Sequence, residues 1–285
     1  MIQNQIKTVI LLGLLTGLLL WVGNLIGGYS GLTFAFIFAI LMNFGAYWWS
    51  DKLVLALYKA KEVDENKAPR LYKIVRKVAH LKNIPMPKVY IIPGIFSNAF
   101  ATGRNPQHGA VACSQGILDL LNDEELEGVI AHELSHIKNR DTLIQSVAAT
   151  IAGVISYVAF MARWAAIFGG FGGRDRDGGA ALELLVLAIL TPILATIIQL
   201  AISRSREYLA DESAARTLHN GYGLASALEK LSQEIKHKPL RASSTTQTTA
   251  HLFIANPFRG GGFIRIFSTH PPMQERIKRL KSMTF

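Results

Sequence analysis

Residues 131–141 read Ala-His-Glu-Leu-Ser-His-Ile-Lys-Asn-Arg-Asp. His132 and His136 stand four positions apart, so on a helix both imidazoles leave the same face and can converge on one ion. Glu133 lies about 100° further round, where a carboxylate reaches a water beside the metal rather than the metal itself. Leu126, Val129, Ile130, Leu134 and Ile137 make the flanks mostly apolar, so two histidines and a glutamate buried among them need polar partners. Asn122 and Glu125 have the spacing of a capping box, which starts the helix at Asn122 and lets it run through the histidine pair to about Asp141.

A catalytic zinc site takes three protein ligands and keeps a fourth position for water. Glu207, in Ser203-Arg-Ser-Arg-Glu-Tyr-Leu-Ala-Asp211, is the best candidate for the third. Asp211 follows four residues later on the same helical face, where it can accept the free ring N–H of a ligating histidine. Both carboxylates could instead pair with Arg204, Arg206 or Arg216 on an exposed helix.

What brings Glu207 back to the histidines is topology. The 285 residues are 50% hydrophobic and have a mean hydropathy of +0.26, above the usual globular range. Four runs are long and apolar enough to cross a bilayer: Thr8 to Ile26, Leu32 to Trp49, Thr142 to Ala162 and Leu184 to Ile202. Two of them separate His136 from Glu207, and an even number of crossings returns the chain to the side it left. The link from Gly27 to Gly31 carries no charge, whereas Lys52, Lys59, Lys61, Lys67, Arg70, Lys73, Arg76, Lys77 and Lys82 follow the second run. The positive-inside rule then places the polar regions and both termini in the cytoplasm, with Trp48 and Trp49 at the interfacial belt. Arg163, Arg174 and Arg176 fall on the outer side but are outnumbered.

Between the second and third runs lies room for a small domain. Leu53 to Leu81 has helical spacing, with Leu71, Ile74, Val75 and Val78 on one face. Lys88 to Ile92, Asn98 to Thr102 and Ala110 to Cys113 read as short strands separated by Pro93-Gly94 and by the turn Gly103 to Gly109. Helices follow from Ser203 to Leu218, on to about Ile235, and again from Pro271-Pro272. The Ser/Thr-rich and Gly-rich stretch from Lys236 to Gly262 reads as a long mobile loop. The single Cys113 excludes a disulfide framework and reads as a small buried residue. His80, His108, His219, His237 and His251 lack ligand spacing. The net charge of +10 clusters beside the apolar runs and lacks the aromatic interleaving of a nucleic-acid binder.

Asn98-Ala-Phe-Ala-Thr-Gly103, Ala131 to Asp141, Ser203 to Asp211 and Ser268-Thr-His-Pro-Pro272, together with the four runs, resemble the HtpX group of membrane zinc peptidases, related to the CAAX prenyl proteases. The resemblance implies one Zn²⁺ per chain, held by His132, His136 and Glu207, with Glu133 as the general base. It implies that Asn98, Ala99, Phe100, Ala101 and Thr102 form an edge strand that pairs with an extended substrate, and that His270 approaches the site to stabilise an oxyanion. It further implies proteolysis of misfolded or surplus membrane proteins in a bacterial inner membrane, as part of a stress response.

The expected architecture is a mainly α integral membrane protein with four transmembrane helices. Its cytoplasmic α+β catalytic domain is zincin-like, of the gluzincin kind, with a small antiparallel sheet. Its parts are a membrane hairpin over 1–50, catalytic regions over 51–141 and 203–285, and a second hairpin over 142–202. The expected partners are membrane-protein substrates and the lipid bilayer. Rival readings are a CAAX prenyl-protein peptidase, a catalytically silent membrane scaffold that keeps the metal for structure, and a transporter with an accidental motif.

Overall fold

The structure, a computed structural model, describes residues 2–148, 150–151, 204–237, 252–254 and 271–285. Its N-terminal apolar run forms α1 (Ile2–Leu57), which doubles back on itself. Asn43 Nδ2 donates to Thr16 Oγ1 at 2.7 Å across 27 residues, and any side chain at Gly23 would strike Gly31 and Ala35. The bend sits in the uncharged link, where Gly28 has φ of 54°, a left-handed conformation that glycine adopts without steric cost. The two limbs correspond to the first two expected spans. Gly28–Leu57 is long and apolar enough to cross a membrane, and Ile6–Trp21 is apolar but shorter. Val9, Phe34 and Leu41 point outward, as an apolar surface facing lipid would. Of the third expected span, residues 142–148 and 150–151 are described and helical; the rest of it and the whole fourth lie outside the described residues.

After α1 the helical reading of Leu53 to Leu81 is interrupted. Lys59 takes φ of 52°, and a two-residue β1 (Lys61–Glu62) precedes α2 (Pro69–Leu81), which Pro69 opens from its first turn. Leu71, Ile74, Val75 and Val78 are buried on α2 as their spacing requires. Then come β2 (Lys88–Ile92), β3 (Ala99–Thr102), β4 (Ala110–Ser114) and the short α3 (Gln115–Leu120).

The sheet has the order β1-β2-β4-β3 and is mixed, which corrects the antiparallel expectation. β2 and β4 run parallel, with Val89 opposite Val111 and Ile91 opposite Cys113. β3 and β4 run antiparallel, from Ala99 opposite Cys113 to Thr102 opposite Ala110. The cause is the composition of β4: Ala-Val-Ala-Cys-Ser is buried along its whole length, and such a continuous run belongs in a sheet centre. β4 therefore inserts between β2 and β3 and leaves β3 at the edge.

One face of the sheet, with Val89, Ala99, Ala101, Val111 and Cys113, packs on α2 and on α4 (Asp123–Asn139) in the main core. The other face, with Ile92, Phe100, Ala110 and Ala112, packs on Val54, Leu55 and Tyr58 at the end of α1 and on Leu252 and Phe253. Those last two residues, with Ile254, are buried. The stretch from Lys236 to Gly262 is therefore not loop throughout: Lys236 and His237 finish a helix, and residues 252–254 are anchored by apolar burial.

Around α4 stand α5 (Arg204–Leu218), α6 (Tyr222–His237) and α7 (Met273–Lys281). The capping box at Asn122 and Glu125 is closed in both directions at 2.9 Å. Glu125 also accepts from Ser226 and Lys230 of α6, so one carboxylate both starts α4 and fastens α6 to it. Gly128 permits the close crossing, because a side chain there would meet the Leu224 backbone.

Candidate metal centre

α4 delivers His132, Glu133 and His136 on consecutive faces of one buried helix, and α5 delivers Glu207 from the far side of the long insertion. All four are at most 5% exposed. His132 Nε2 and His136 Nε2 lie 3.2 Å apart. Glu207 Oε2 is 3.6 Å from His132 Nε2, and Glu207 Oε1 is 3.5 Å from His136 Nε2. Ligands at tetrahedral angles, with zinc bonds of about 2.0–2.2 Å, stand roughly 3.3–3.5 Å from one another. The three side chains thus fit one zinc ion as they stand, and their two N and one O donors suit it chemically.

Each histidine turns its other nitrogen to a carboxylate. His136 Nδ1 is 3.1 Å from Asp141 Oδ2, which frees Nε2 for the ligand side. His132 Nδ1 is 2.9 Å from Asp211 Oδ1, close but off the line of a well-aligned hydrogen bond. Asp211 is itself gripped by Arg276 of α7 through Nε and Nη2, both at 2.8 Å. Arg276 also donates to Ile254 O at 3.0 Å, approaches Glu207 Oε2 at 3.8 Å and is fully buried. Burial alone would lower the His132 pKa, but Asp211 and Glu207 outweigh it and push it up to about 9. Burial would raise the Asp211 carboxyl, yet Arg276 and His132 hold it below the ordinary carboxylate range. Neither Glu207 nor Asp211 pairs with Arg216, which bonds Glu212 instead.

Glu133 lines the same pocket as the candidate ligands, and its Oε2 accepts the Ala101 N–H of the neighbouring strand at 2.9 Å. Burial raises its pKa above the usual carboxylate value, against the pull of the two histidines. Among the described residues β3 is the last strand of the sheet, running alongside α4. Asn98 precedes it, and its Oδ1 accepts the Ile254 N–H at 3.2 Å. Among the described residues, Phe100, Gln145, Leu252, Phe253 and Ile254 line the pocket that holds the candidate metal-binding side chains, which has a volume of about 10 Å³. Phe253 is seated by Tyr58 and Phe96, with ring centroids at 6.1 and 6.3 Å.

Sequence reasoning placed His132, Glu133, His136, Glu207, Asp211 and the strand 98–102 together, and the fold brings them together. His270 lies outside the described residues. Asp141 was missed as a histidine partner: it reaches back to His136 only because Arg140 ends α4 in a left-handed conformation, φ 60°. Arg276 was missed too. The signal was an arginine on the buried stripe that Leu280 marks on α7, a core position on an otherwise basic helix. Cys113 is buried on β4 and burial pushes its thiol pKa up, as befits an inert packing residue. His80, His108, His219 and His237 lie on the exposed surface.

Residues 65–284 match the family model described as Peptidase family M48. Over 282 residues the chain is 53% identical to a protein named Protease HtpX homolog from Syntrophotalea carbinolica, with 99% of each chain covered. It is 52% identical over 278 residues to a protein of the same name from Pyrococcus furiosus, covering 98% of this chain and 95% of that one. Among solved structures it is similar to S. mikatae Ste24p, with a TM-score of 0.51 and 20% identity. That likeness covers 98% of this chain and 66% of the longer one, and at such identity it speaks for the fold alone.

Proposed function

This chain belongs to peptidase family M48, and from that membership we propose that it is a membrane-embedded zinc endopeptidase cutting misfolded or surplus membrane proteins at the cytoplasmic face of the plasma membrane. One observation carries the reading: three buried donors at 3.2 to 3.6 Å from one another, with an uncoordinated carboxylate one residue away that is bonded to the edge of a strand. A metal kept for structure alone has no use for that carboxylate.

His132, His136 and Glu207 would hold the ion. Zinc bound there supplies Lewis acidity, polarising a substrate carbonyl and making a neighbouring water acidic at near-neutral pH. Glu133 takes the proton of the attacking water and passes it to the leaving amine. Burial raises its pKa above the usual carboxylate value, which makes it a stronger base than an exposed carboxylate. β3 offers main-chain groups on its open side to an extended substrate. The Ala101 N–H already bonds Glu133, so strand edge and base are set at a common height. His270 remains the proposed oxyanion stabiliser. Asp141 and Asp211 hold the two imidazoles with Nε2 turned inward, and Arg276 keeps Asp211 charged.

The test is Glu133→Gln in the purified full chain. It should retain zinc and lose cleavage of an unfolded membrane protein by at least about a hundredfold; undiminished cleavage would refute the mechanism. Glu207→Ala should lose the zinc itself. Cleavage confined to a prenylated CAAX peptide would shift the reading to a prenyl-protein peptidase.

A further inference from the structure

Lys82 is the buried charge that the reaction does not use. It caps α2, is 2% exposed, and pairs with no carboxylate among the described residues. Its Nζ donates to Ser135 Oγ at 2.8 Å, Ser213 Oγ at 3.1 Å and Thr217 Oγ1 at 3.1 Å, with Ser213 O at 3.4 Å. An ammonium carries three N–H donors, and here three hydroxyls receive them. Two of those hydroxyls have given their own protons away: Ser135 to Ala131 O at 2.7 Å and Thr217 to Ser213 O at 2.6 Å. Their lone pairs are what remains for Lys82. Desolvation lowers the lysine pKa to about 8, and Lys138, whose Nζ donates to Lys82 O, adds to that. Burying a cation without a counter-charge is unfavourable, so the arrangement needs a compensating reason.

The reason lies in where the three hydroxyls sit. Ser135 is on α4 between the two histidines, in the very turn that presents them. Ser213 and Thr217 are on α5, the helix that presents Glu207. The covalent path between these helices runs through the long insertion, which leaves their mutual register to side-chain contacts. At the crossing α5 offers Ala210 and Ala214, both fully buried, and Ser135 Oγ comes within 3.5 Å of Ala210 O. Small residues allow close approach but do not resist sliding; hydrogen bonds to one fixed ammonium do.

We infer that Lys82 is a positioning residue of the metal centre: anchored on α2, its ammonium pins α4 and α5 in the register that sets the spacing of His132, His136 and Glu207. This rests on the zinc reading proposed above. Asp141 and Asp211 orient individual rings, whereas Lys82 sets the distance between the two helices.

The experiment uses the full chain in detergent with Zn²⁺ alone as ligand. Chelator competition should give Lys82→Met a zinc affinity about tenfold weaker than wild type, the low end for residues that support ligands indirectly. The Co²⁺-loaded variant should lose part of the intense visible absorption of a four-coordinate site. Ser213→Ala/Thr217→Val, which keeps Lys82 but removes its α5 acceptors, should shift affinity in the same direction and gives the answer if Lys82→Met does not fold. A folded Lys82→Met or Ser213→Ala/Thr217→Val protein with wild-type zinc affinity and cobalt spectrum would overturn the inference, even if its metal-free form unfolds at lower temperature. Failure of the zinc reading itself looks different, because wild type would then bind no zinc.

Discussion

At His132 a proton and a metal ion compete for one ring. In the metal-free protein Asp211 and Glu207 raise its pKa to about 9, from an ordinary 6.5. A histidine with a raised folded-state pKa stabilises the metal-free fold fully below about pH 6.5, and that contribution disappears as pH rises through about 9. Zinc has the opposite preference, since it needs the neutral ring. Apparent zinc affinity should therefore climb about tenfold per pH unit from pH 6.5 to about 9 and then level off. Chelator competition across this range checks it, and a flat profile would show that the ring is already neutral. The ligating pair could be found from spacing alone because i and i+4 share a helical face. Asp141, five residues past His136, could not, because its approach depends on the left-handed turn at Arg140.

Among the elements, β3 and residues 252–254 both line the pocket that holds the candidate ligands. The pocket that holds the candidate metal side chains has a volume of about 10 Å³, about the space of a single water. Phe253 packs among Tyr58, Phe96 and Phe100 beside the candidate ligands, and we predict that it restricts entry of a substrate along β3. Phe253→Ser should raise kcat/KM for a short apolar peptide severalfold at unchanged zinc content. An equal or lower rate with the metal in place would show that Phe253 does not gate entry. Element boundaries proved readable where local chemistry sets them, as with the capping box at Asn122 and Glu125 or the strands ended by Pro93 and Gly103. The strand order was not readable, because it depends on which strand the rest of the molecule buries most completely.

For the whole molecule the question is sidedness. Thr16 bonded to Asn43 brings both limbs of α1 back to one end, and Arg104 from the sheet region stacks on Trp48 near that end, 4.6 Å from the ring centroid. The positive-inside rule, applied to the basic residues between α1 and α4, puts them in the cytoplasm, and that orientation is the one proposed for the metal centre. Cys113 is fully buried, so wild type should give little background to a thiol reagent. Lys73→Cys, at an exposed position of α2, should then react with a membrane-impermeant maleimide in inside-out vesicles and not in intact cells. The reverse pattern would invert the topology.

The residues alone pointed to the candidate metal-binding pair, the candidate base beside it, the apolar runs and, with those runs counted, Glu207 as the candidate third ligand. Each rests on spacing along the chain, where helix geometry and bilayer thickness act directly on sequence. Only the tertiary structure decided that the sheet is mixed, that Arg276 holds Asp211, that Leu252 to Ile254 line the site, and that Lys82 joins α2, α4 and α5. Those are contacts between segments far apart in the chain, and no local periodicity encodes them. They follow from burial, which forces each enclosed charge to find its partner wherever packing has brought one.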